Sequence, residues 1–243
     1  MVQRGPGARV MADAWVFPGG IVDEIDGAAL AREAVAGEFD DGDLPWVAAA
    51  MRETVEEVDI WLTSPPVLSP DGSRRRGEAV FRSALDLGTR FDGGLLAYFA
   101  NWVTPTMIPL RFDTRFYAAE AGAHGVPAPD PSELAAAEWI APRMALAEAE
   151  ATERLVPFPT RKILALIGRF SQVMGFMEHL EQMGEVVPVR ARGRVREDGT
   201  IATILPGEPD FEVLGDLPPG AVAVADAAGD ALAKGHLETP TGL

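Results

Sequence analysis

The chain of 243 residues has no cysteine, which excludes disulfides, thiolate metal sites and cysteine nucleophiles. Lysine is nearly missing as well, Lys162 and Lys234 being the only two among 21 basic residues. The three histidines, His124, His179 and His236, are scattered without ligand spacing and read as surface or packing residues. There is no Gly-x-Ser-x-Gly elbow, no Walker loop and no Gly-x-Gly-x-x-Gly fingerprint, so three common routes to hydrolase or nucleotide chemistry are closed. No apolar run approaches the roughly twenty residues that cross a bilayer, and the first residues lack the apolar core of a signal peptide. The expectation is a soluble, cytoplasmic protein without a membrane partner. The preference for Arg, Ala, Gly and Pro points to a GC-rich bacterial genome. Positive charge is scarce overall. With 37 acidic residues the net charge is −16, which argues against a general nucleic-acid surface, because such surfaces depend on clustered Lys and Arg.

What remains is acidic and locally ordered. Trp15-Val16-Phe17-Pro18-Gly19-Gly20 is a short apolar run ending in a glycine turn, and neither glycine has a Cβ to keep backbone carbonyls away from a bound ion. Some thirty positions later comes Arg52-Glu53-Thr54-Val55-Glu56-Glu57-Val58-Asp59-Ile60. At roughly 100° per residue, Val47, Met51, Val55 and Val58 collect on one side of a helix, and Glu53, Glu56 and Glu57 gather nearly opposite. Spacings of three and four make the carboxylates neighbours that repel one another without a cation. Hard oxygen ligands of this kind suit Mg²⁺ or Mn²⁺ shared with phosphate. A Glu-rich polar face is by itself ordinary, as is a lone Pro-Gly-Gly turn, and the conjunction of the two carries the specificity.

These residues resemble the motif of the Nudix hydrolase superfamily: Gly, five residues, Glu, seven residues, Arg-Glu, apolar, any, Glu-Glu, any, Gly, apolar. Gly20 matches the opening glycine, and Arg52, Glu53, Glu56, Glu57 and Ile60 match the second half. Two departures stand out. The block from about Asp23 to Pro45 reads as an insertion that leaves the motif's isolated Glu without a clear counterpart, Asp23, Glu24 and Asp26 being candidates. The closing glycine is Asp59, a residue that tolerates the left-handed conformation of a helix C-cap. An insertion here is similar to the branch that resembles mammalian peroxisomal coenzyme A diphosphatases. Asn101-Trp102-Val103-Thr104-Pro105, Arg111-Phe112-Asp113-Thr114-Arg115-Phe116, Glu138-Trp139-Ile140, Val156-Pro157-Phe158-Pro159-Thr160 and Leu205-Pro206-Gly207-Glu208 look similar to that branch as well.

The resemblance implies an α/β/α sandwich around a mixed sheet, with extra C-terminal helices and a β-hairpin. It spans about residues 2 to 212 as one domain, including a helical and hairpin extension at 143–212, ahead of an Ala/Gly/Pro-rich tail at 213–243 expected to be partly disordered. Val2-Gln3-Arg4 is short for the first strand, so a truncated edge or a missing upstream segment is expected. Residues 28–37 and 44–58 read as helices, as do 78–87, 143–155 and 160–183; strands are expected at 96–103, 111–119 and 133–140. The apolar stripe of 160–183, through Ile163, Leu166, Ile167, Phe170, Val173 and Met174, suits a core or a homodimer face. Val187 to Val195 and Thr200 to Leu205 form a hairpin pattern whose arginines 190, 192, 194 and 196 share one face. That face could meet the protein's own carboxylates, an acidic partner or a terminal phosphate of the ligand. Arg74, Arg75 and Arg76 lie in a loop that is either solvated or within reach of an anion.

By resemblance, Glu53 and Glu57 ligate Mg²⁺ or Mn²⁺, Glu56 does so directly or through water, and the Gly19 carbonyl completes the metal site. Arg52 holds a motif carboxylate by a bidentate pair. The general base is Glu53 or Glu57, then Glu133 as a loop carboxylate. Arg111, Arg115 and Phe116 flank the phosphates with Trp102 near an adenine, packing being the equal alternative for the two aromatics. The implied reaction is metal-dependent attack of water on a nucleoside-linked diphosphate, in coenzyme A or acyl-CoA foremost. ADP-ribose, dinucleotides or nucleoside triphosphates are the other substrates to weigh, and a non-catalytic nucleotide sensor the other class of function.

Overall fold

The computed structural model describes residues 1–67, 73–105, 110–122, 126–195, 201–208 and 211. The tail expected at 213–243 lies outside the described residues, as do Arg196, His124 and His236. Along the chain the elements are β1 (Val2–Arg4), β2 (Trp15–Val16), α1 (Ala29–Ala34), β3 (Val35–Ala36), α2 (Leu44–Val58), β4 (Thr63–Ser64), α3 (Glu78–Asp86) and β5 (Arg90–Asp92). They continue with β6 (Ala97–Val103), β7 (Asp113–Ala118), β8 (Leu134–Ala137), α4 (Pro142–Glu150), α5 (Phe158–Ile167), α6 (Val173–Glu181), β9 (Val189–Arg190), β10 (Arg192–Val195) and β11 (Ile201–Ile204). This is the α/β content expected, in several small sheets and six α-helices among the described residues. None of these helices is long and apolar enough to cross a membrane.

Two compact units make up the chain. The first comprises Met1–Ala97, Tyr117–Ala141 and Gln172–Glu181. Its core is built on α2, whose residues Leu44, Val47, Ala48, Met51, Val55 and Val58 are buried together with Trp61, Phe81 and Phe91. Trp61 stacks on Phe91 with ring centroids 5.8 Å apart, and Phe81 meets Phe91 edge-on at 6.2 Å. The helix starts with Pro45 in its first turn, where a missing N–H costs nothing. It ends at Asp59, which adopts φ 57° and ψ 34° and donates its N–H to the Val55 carbonyl at 2.9 Å. Asp59 thus fills the left-handed cap that glycine fills in the motif, and its Oδ1 also accepts the Trp61 Nε1 hydrogen at 2.9 Å. One sheet has the order β2-β1-β8, with Val2 opposite Val16 on one side and Ala137 on the other. The three residues of β1 are therefore a real central strand despite their brevity. A second sheet, β3-β5-β4, draws β3 from within the insertion and pairs it parallel to β5.

The second unit comprises Tyr98–Phe116, Pro142–Ser171 and the described residues from Gln182 onward. Here β9 runs parallel to β6, with Trp102 opposite Val189, and β10 and β11 form an antiparallel hairpin with Arg192 opposite Ile204; the hairpin strand expected from Val187 thus begins only at Arg192, since Val189 and Arg190 pair with β6 instead. Helices α4 and α5 pack on each other. The single helix expected over 160–183 is two helices, α5 and α6, and this corrects that reading. Past Ile167 the N–H groups of Arg169 and Phe170 turn back to the third residue before them, at 3.2 and 3.0 Å, the tightening by which a helix ends. Gly168 sits at the break with little helix propensity, and Val173 and Met174 of the predicted stripe are exposed rather than buried.

Phe91 has no exposed surface and touches both other large aromatics of the first core. Phe91→Ala should cost about 3–5 kcal/mol of stability, read as a lowered urea midpoint at unchanged slope.

Candidate functional site

Helix α2 places Glu53, Glu56 and Glu57 on the side away from its apolar stripe, and all three lie against other chain segments rather than in open water. The glycine turn is the first of these. The Gly19 N–H donates to Glu57 Oε2 at 2.8 Å, and Gly19 has φ 152°, a conformation that favours glycine. A Cβ on Gly20 would stand 2.3 Å from Glu53 Oε1, so the Glu53 carboxylate occupies the space a side chain would need. The turn and the helix are complementary because the second glycine is bare. What the structure shows at Gly19 is a donated N–H.

Arg52 uses all five of its N–H donors. Its Nε and Nη2 fork onto Asp26 Oδ1 and Oδ2 at 2.8 and 2.9 Å, Nη2 also reaches the Ile21 carbonyl at 2.9 Å, and Nη1 serves Glu53 Oε1 at 2.8 Å and Glu56 Oε1 at 3.2 Å. Asp26 is fully buried. The bidentate pair expected of Arg52 is present, and its partner is the carboxylate the sequence reading left unassigned. The signal was available by counting. Five residues separate Gly20 from Asp26, the motif's own spacing, with Asp standing one methylene short of Glu. By that count Asp26, one of the three candidates, stands at the position of the motif's isolated Glu. Asp23 caps the 3₁₀ turn over Glu24–Gly27, donating its N–H to Asp26 Oδ2 at 2.8 Å.

A loop ahead of β8 closes the other side. The Ala128 and Asp130 N–H groups donate to the Val58 and Glu57 carbonyls at 2.8 and 2.9 Å, satisfying carbonyls that the last turn of α2 leaves open. That stitching brings Glu133 near enough for its charge to act on Glu53 and Glu57. Of the three arginines at 74–76, Arg74 and Arg76 are exposed, as a solvated loop implies, and Arg75 is half-buried; each also bonds to another chain segment. Arg74 donates to the Ala128 and Pro129 carbonyls at 2.7 and 2.8 Å, and Arg75 donates to Ser83 Oγ at 3.0 Å and lies over the Trp61 ring at 5.9 Å. Arg76 pairs with Asp130 at 2.5 Å and with Glu133, holding that loop carboxylate in place. The Gly77 N–H then donates to Glu56 Oε1 at 2.8 Å.

The electrostatics follow from this packing. Burial pushes the Glu57 carboxyl up to about 7; the Gly19 hydrogen bond and Arg4 oppose the shift, and the charges of Glu53 and Glu133 reinforce it. Burial likewise raises Glu53, against the pull of Arg52 and with the help of Glu56 and Glu133. Asp130 is held below the usual carboxylate range, chiefly by the Ser132 N–H, with Arg76 contributing. One guanidinium thus faces Asp26, Glu53 and Glu56 at once while Glu57 has no ion-pair partner among the described residues.

Among the described residues no group of three or more acidic or histidine side chains is arranged to hold a metal ion by itself. Mg²⁺ does not require one, because it is typically bound by one or two carboxylates with water and substrate phosphate completing its shell. Glu53 Oε2 and Glu57 Oε1 accept no hydrogen bond among the described residues and are such a pair of oxygens. The donor set fits a hard divalent ion shared with a phosphate.

The remaining predicted site residues, Trp102, Arg111, Arg115 and Phe116, belong to the second unit. Trp102 is buried edge-on against Phe158 at 5.9 Å, the packing alternative for this residue, and Arg115 lies over the Tyr98 ring at 5.3 Å. Arg111 is exposed and Phe116 half-buried.

No family model matches the chain. In sequence it is 30% identical over 169 residues to a Caenorhabditis elegans protein named as a nudix hydrolase, an alignment covering 65% of this chain and 52% of that protein. The chain thus spans about half the length of the curated relative it matches. In structure it is similar to the crystal structure of a Nudix hydrolase from Alicyclobacillus acidocaldarius, with TM-score 0.62 and 29% identity over 73% of this chain and 86% of that one. Both likenesses support the Nudix hydrolase superfamily, and the second supports the fold.

Two predictions follow from the charges. Asp26→Asn leaves Arg52 buried against a weakened partner and should cost about 3–5 kcal/mol, measured by chemical denaturation. In metal-free protein Glu57 titrates near 7 when folded and near the ordinary carboxylate value when unfolded, so the unfolded chain ionises first as pH rises. Stability should therefore fall between about pH 4.5 and 7 by at most about 3 kcal/mol from this group, and Glu57→Gln should flatten that part of the melting-temperature profile in chelator.

Proposed function

We propose that this chain, related to Nudix hydrolases by its motif, its sequence and its structure, is a divalent-metal-dependent diphosphatase. Its substrate is a nucleoside-diphosphate-linked compound, coenzyme A or acyl-CoA foremost. The observation that carries the proposal is the pair Glu53 and Glu57, packed on the Gly19-Gly20 turn with one unbonded oxygen each and with too little positive charge around them.

Glu53 and Glu57 would hold the Mg²⁺ or Mn²⁺ ion, with Glu56 beside them directly or through water and the Gly19 carbonyl completing the set. Such an ion, once bound, neutralises the diphosphate and acidifies a water for attack on phosphorus. The protein's own part is orientation. Arg52 fixes Glu53 and Glu56 through Nη1 while Asp26 fixes Arg52, so neither ligand loses its aim when the substrate arrives. A proton acceptor is needed as water attacks. Glu57, raised toward neutrality, and Glu53 are the candidates on the helix, and Glu133, held by Arg76, is the candidate on the loop. Cleavage of coenzyme A at the diphosphate gives phosphopantetheine and adenosine 3′,5′-bisphosphate. The preference for coenzyme A rests on the insertion and on the segments that resemble the coenzyme A branch.

The test is a panel of coenzyme A, acyl-CoA, ADP-ribose, NADH, diadenosine polyphosphates and nucleoside triphosphates with Mg²⁺ or Mn²⁺, products being identified by mass. The expected outcome is cleavage of coenzyme A, with Glu57→Gln lowering kcat by about a hundredfold or more. Intact coenzyme A beside cleaved ADP-ribose would replace the substrate and keep the chemistry. Binding without cleavage of any compound would point to a nucleotide sensor instead.

A further inference from the structure

Arg4, the last residue of β1, acts on Glu57 through its charge, but nothing described so far engages its guanidinium hydrogens. It is placed there by three constraints. Its N–H donates to the Ala14 carbonyl at 2.9 Å, its Cα pairs with Leu134 of β8, and the next residue, Gly5, donates to the Glu133 carbonyl at 2.8 Å. The register of β1 against β8 shifts between Gln3 and Arg4, an irregularity of the kind that re-aims a side chain next to a site. Arg4 consequently stands between the strand that runs into the Gly19-Gly20 turn and the loop that carries Glu133.

Its guanidinium is unused. Among the described residues it donates no side-chain hydrogen bond and makes no ion pair, and its Nε is buried without a partner. Arginine in an acidic neighbourhood ordinarily forks onto a carboxylate, as Arg52 does on Asp26. Arg4 is close enough to Glu57 for its charge to act on that carboxyl, yet it forms no ion pair with it. A buried donor on a half-buried cation, held beside carboxylates without bonding to them, is unsatisfied until an anion arrives. An anion that would enter so acidic a site is one that comes with a divalent cation, and a phosphoryl group fits the guanidinium fork in geometry and charge.

We propose that Arg4 is a phosphate-binding residue, taking a non-bridging oxygen of the substrate's diphosphate. The inference rests on the diphosphatase reading for its substrate, but it can be tested apart from it.

Arg4→Gln and Arg4→Lys are compared with the unaltered protein in two measurements. The first is calorimetric binding of inorganic pyrophosphate with and without Mg²⁺; the second is hydrolysis of coenzyme A and ADP-ribose. Arg4→Gln should weaken pyrophosphate binding tenfold or more and lower kcat/KM by a similar factor, with Arg4→Lys recovering part of both because charge is kept and the fork is lost. A purely structural role would lower the melting temperature and leave pyrophosphate affinity of the folded fraction unchanged. Pyrophosphate affinity equal in all three proteins, or no binding by the unaltered protein, overturns the proposal even if coenzyme A is cleaved. Pyrophosphate binding that depends on Arg4 in a protein that cleaves neither compound upholds it and removes the diphosphatase reading instead. If Arg4→Gln does not fold, Arg4→Lys decides the matter by the same affinity comparison.

Discussion

The guanidinium of Arg52 is the point through which the site is held together. It is almost wholly buried, its five N–H donors go to Asp26, Ile21, Glu53 and Glu56, and none of these partners could be lost without leaving a charge or a donor stranded away from water. Lysine could not replace it, because three hydrogens on a point cannot reach a carboxylate fork on one side and two glutamates on the other. The fork also sets where the chain must go. Asp26 and Ile21 belong to the segment after the glycine turn, so tying them to Arg52 draws that turn onto α2, where the Gly19 N–H meets Glu57 and the bare Gly20 admits the carboxylate of Glu53.

A second set of ties acts at the other end of the helix. The loop at 126–133 satisfies the open carbonyls of Glu57 and Val58, and Arg74 and Arg76 pin that loop. Each tie has a local cause, yet together they crowd four glutamates around a space in which Arg52 and Arg76 neutralise only part of the charge. Burial then does the rest. Removing Glu57 from water without giving it a counter-ion lifts its proton affinity, and a group in that state is stabilised by whatever cation can approach its free oxygen. A scaffold that costs stability at its own centre is the common signature of a site shaped for a ligand.

Much of this was legible in the residues because the signals were local. The apolar stripe marked α2 over Leu44–Val58, and the replacement of the closing glycine by Asp59 was readable as a left-handed cap because a short polar side chain tolerates that conformation. Alternation and a turn marked the hairpin of β10 and β11. What escaped depended on partners far along the chain. Asp26 stood among three candidates for the motif's isolated Glu, and only the fork with a residue 26 positions later distinguishes it from Asp23 and Glu24. Arg74 and Arg76 are exposed, and their bonds to the carbonyls and side chains of a loop more than fifty positions later leave no local mark in the sequence. The helix expected through Gly168 failed for a local reason outweighed in the reading by periodicity, since an apolar stripe continues in register across a break as easily as through it.

The segment between Asp26 and Arg52 is closed at its ends by the fork itself. The chain leaves the site at one half of the pair and returns to it at the other. Closing a loop costs entropy that grows only with the logarithm of its length, and here the closure is made by a buried bidentate contact that the site needs in any case. The added residues then make their own structure. Helix α1 buries Ala31 and Ala34 and packs on α3, and β3 pairs with β5, so the insertion joins the first core instead of hanging from it. Asp26 and Arg52 therefore stay in contact while the residues between them, Ala31, Ala34 and Val35 among them, add to the core that supports Glu53, Glu56 and Glu57.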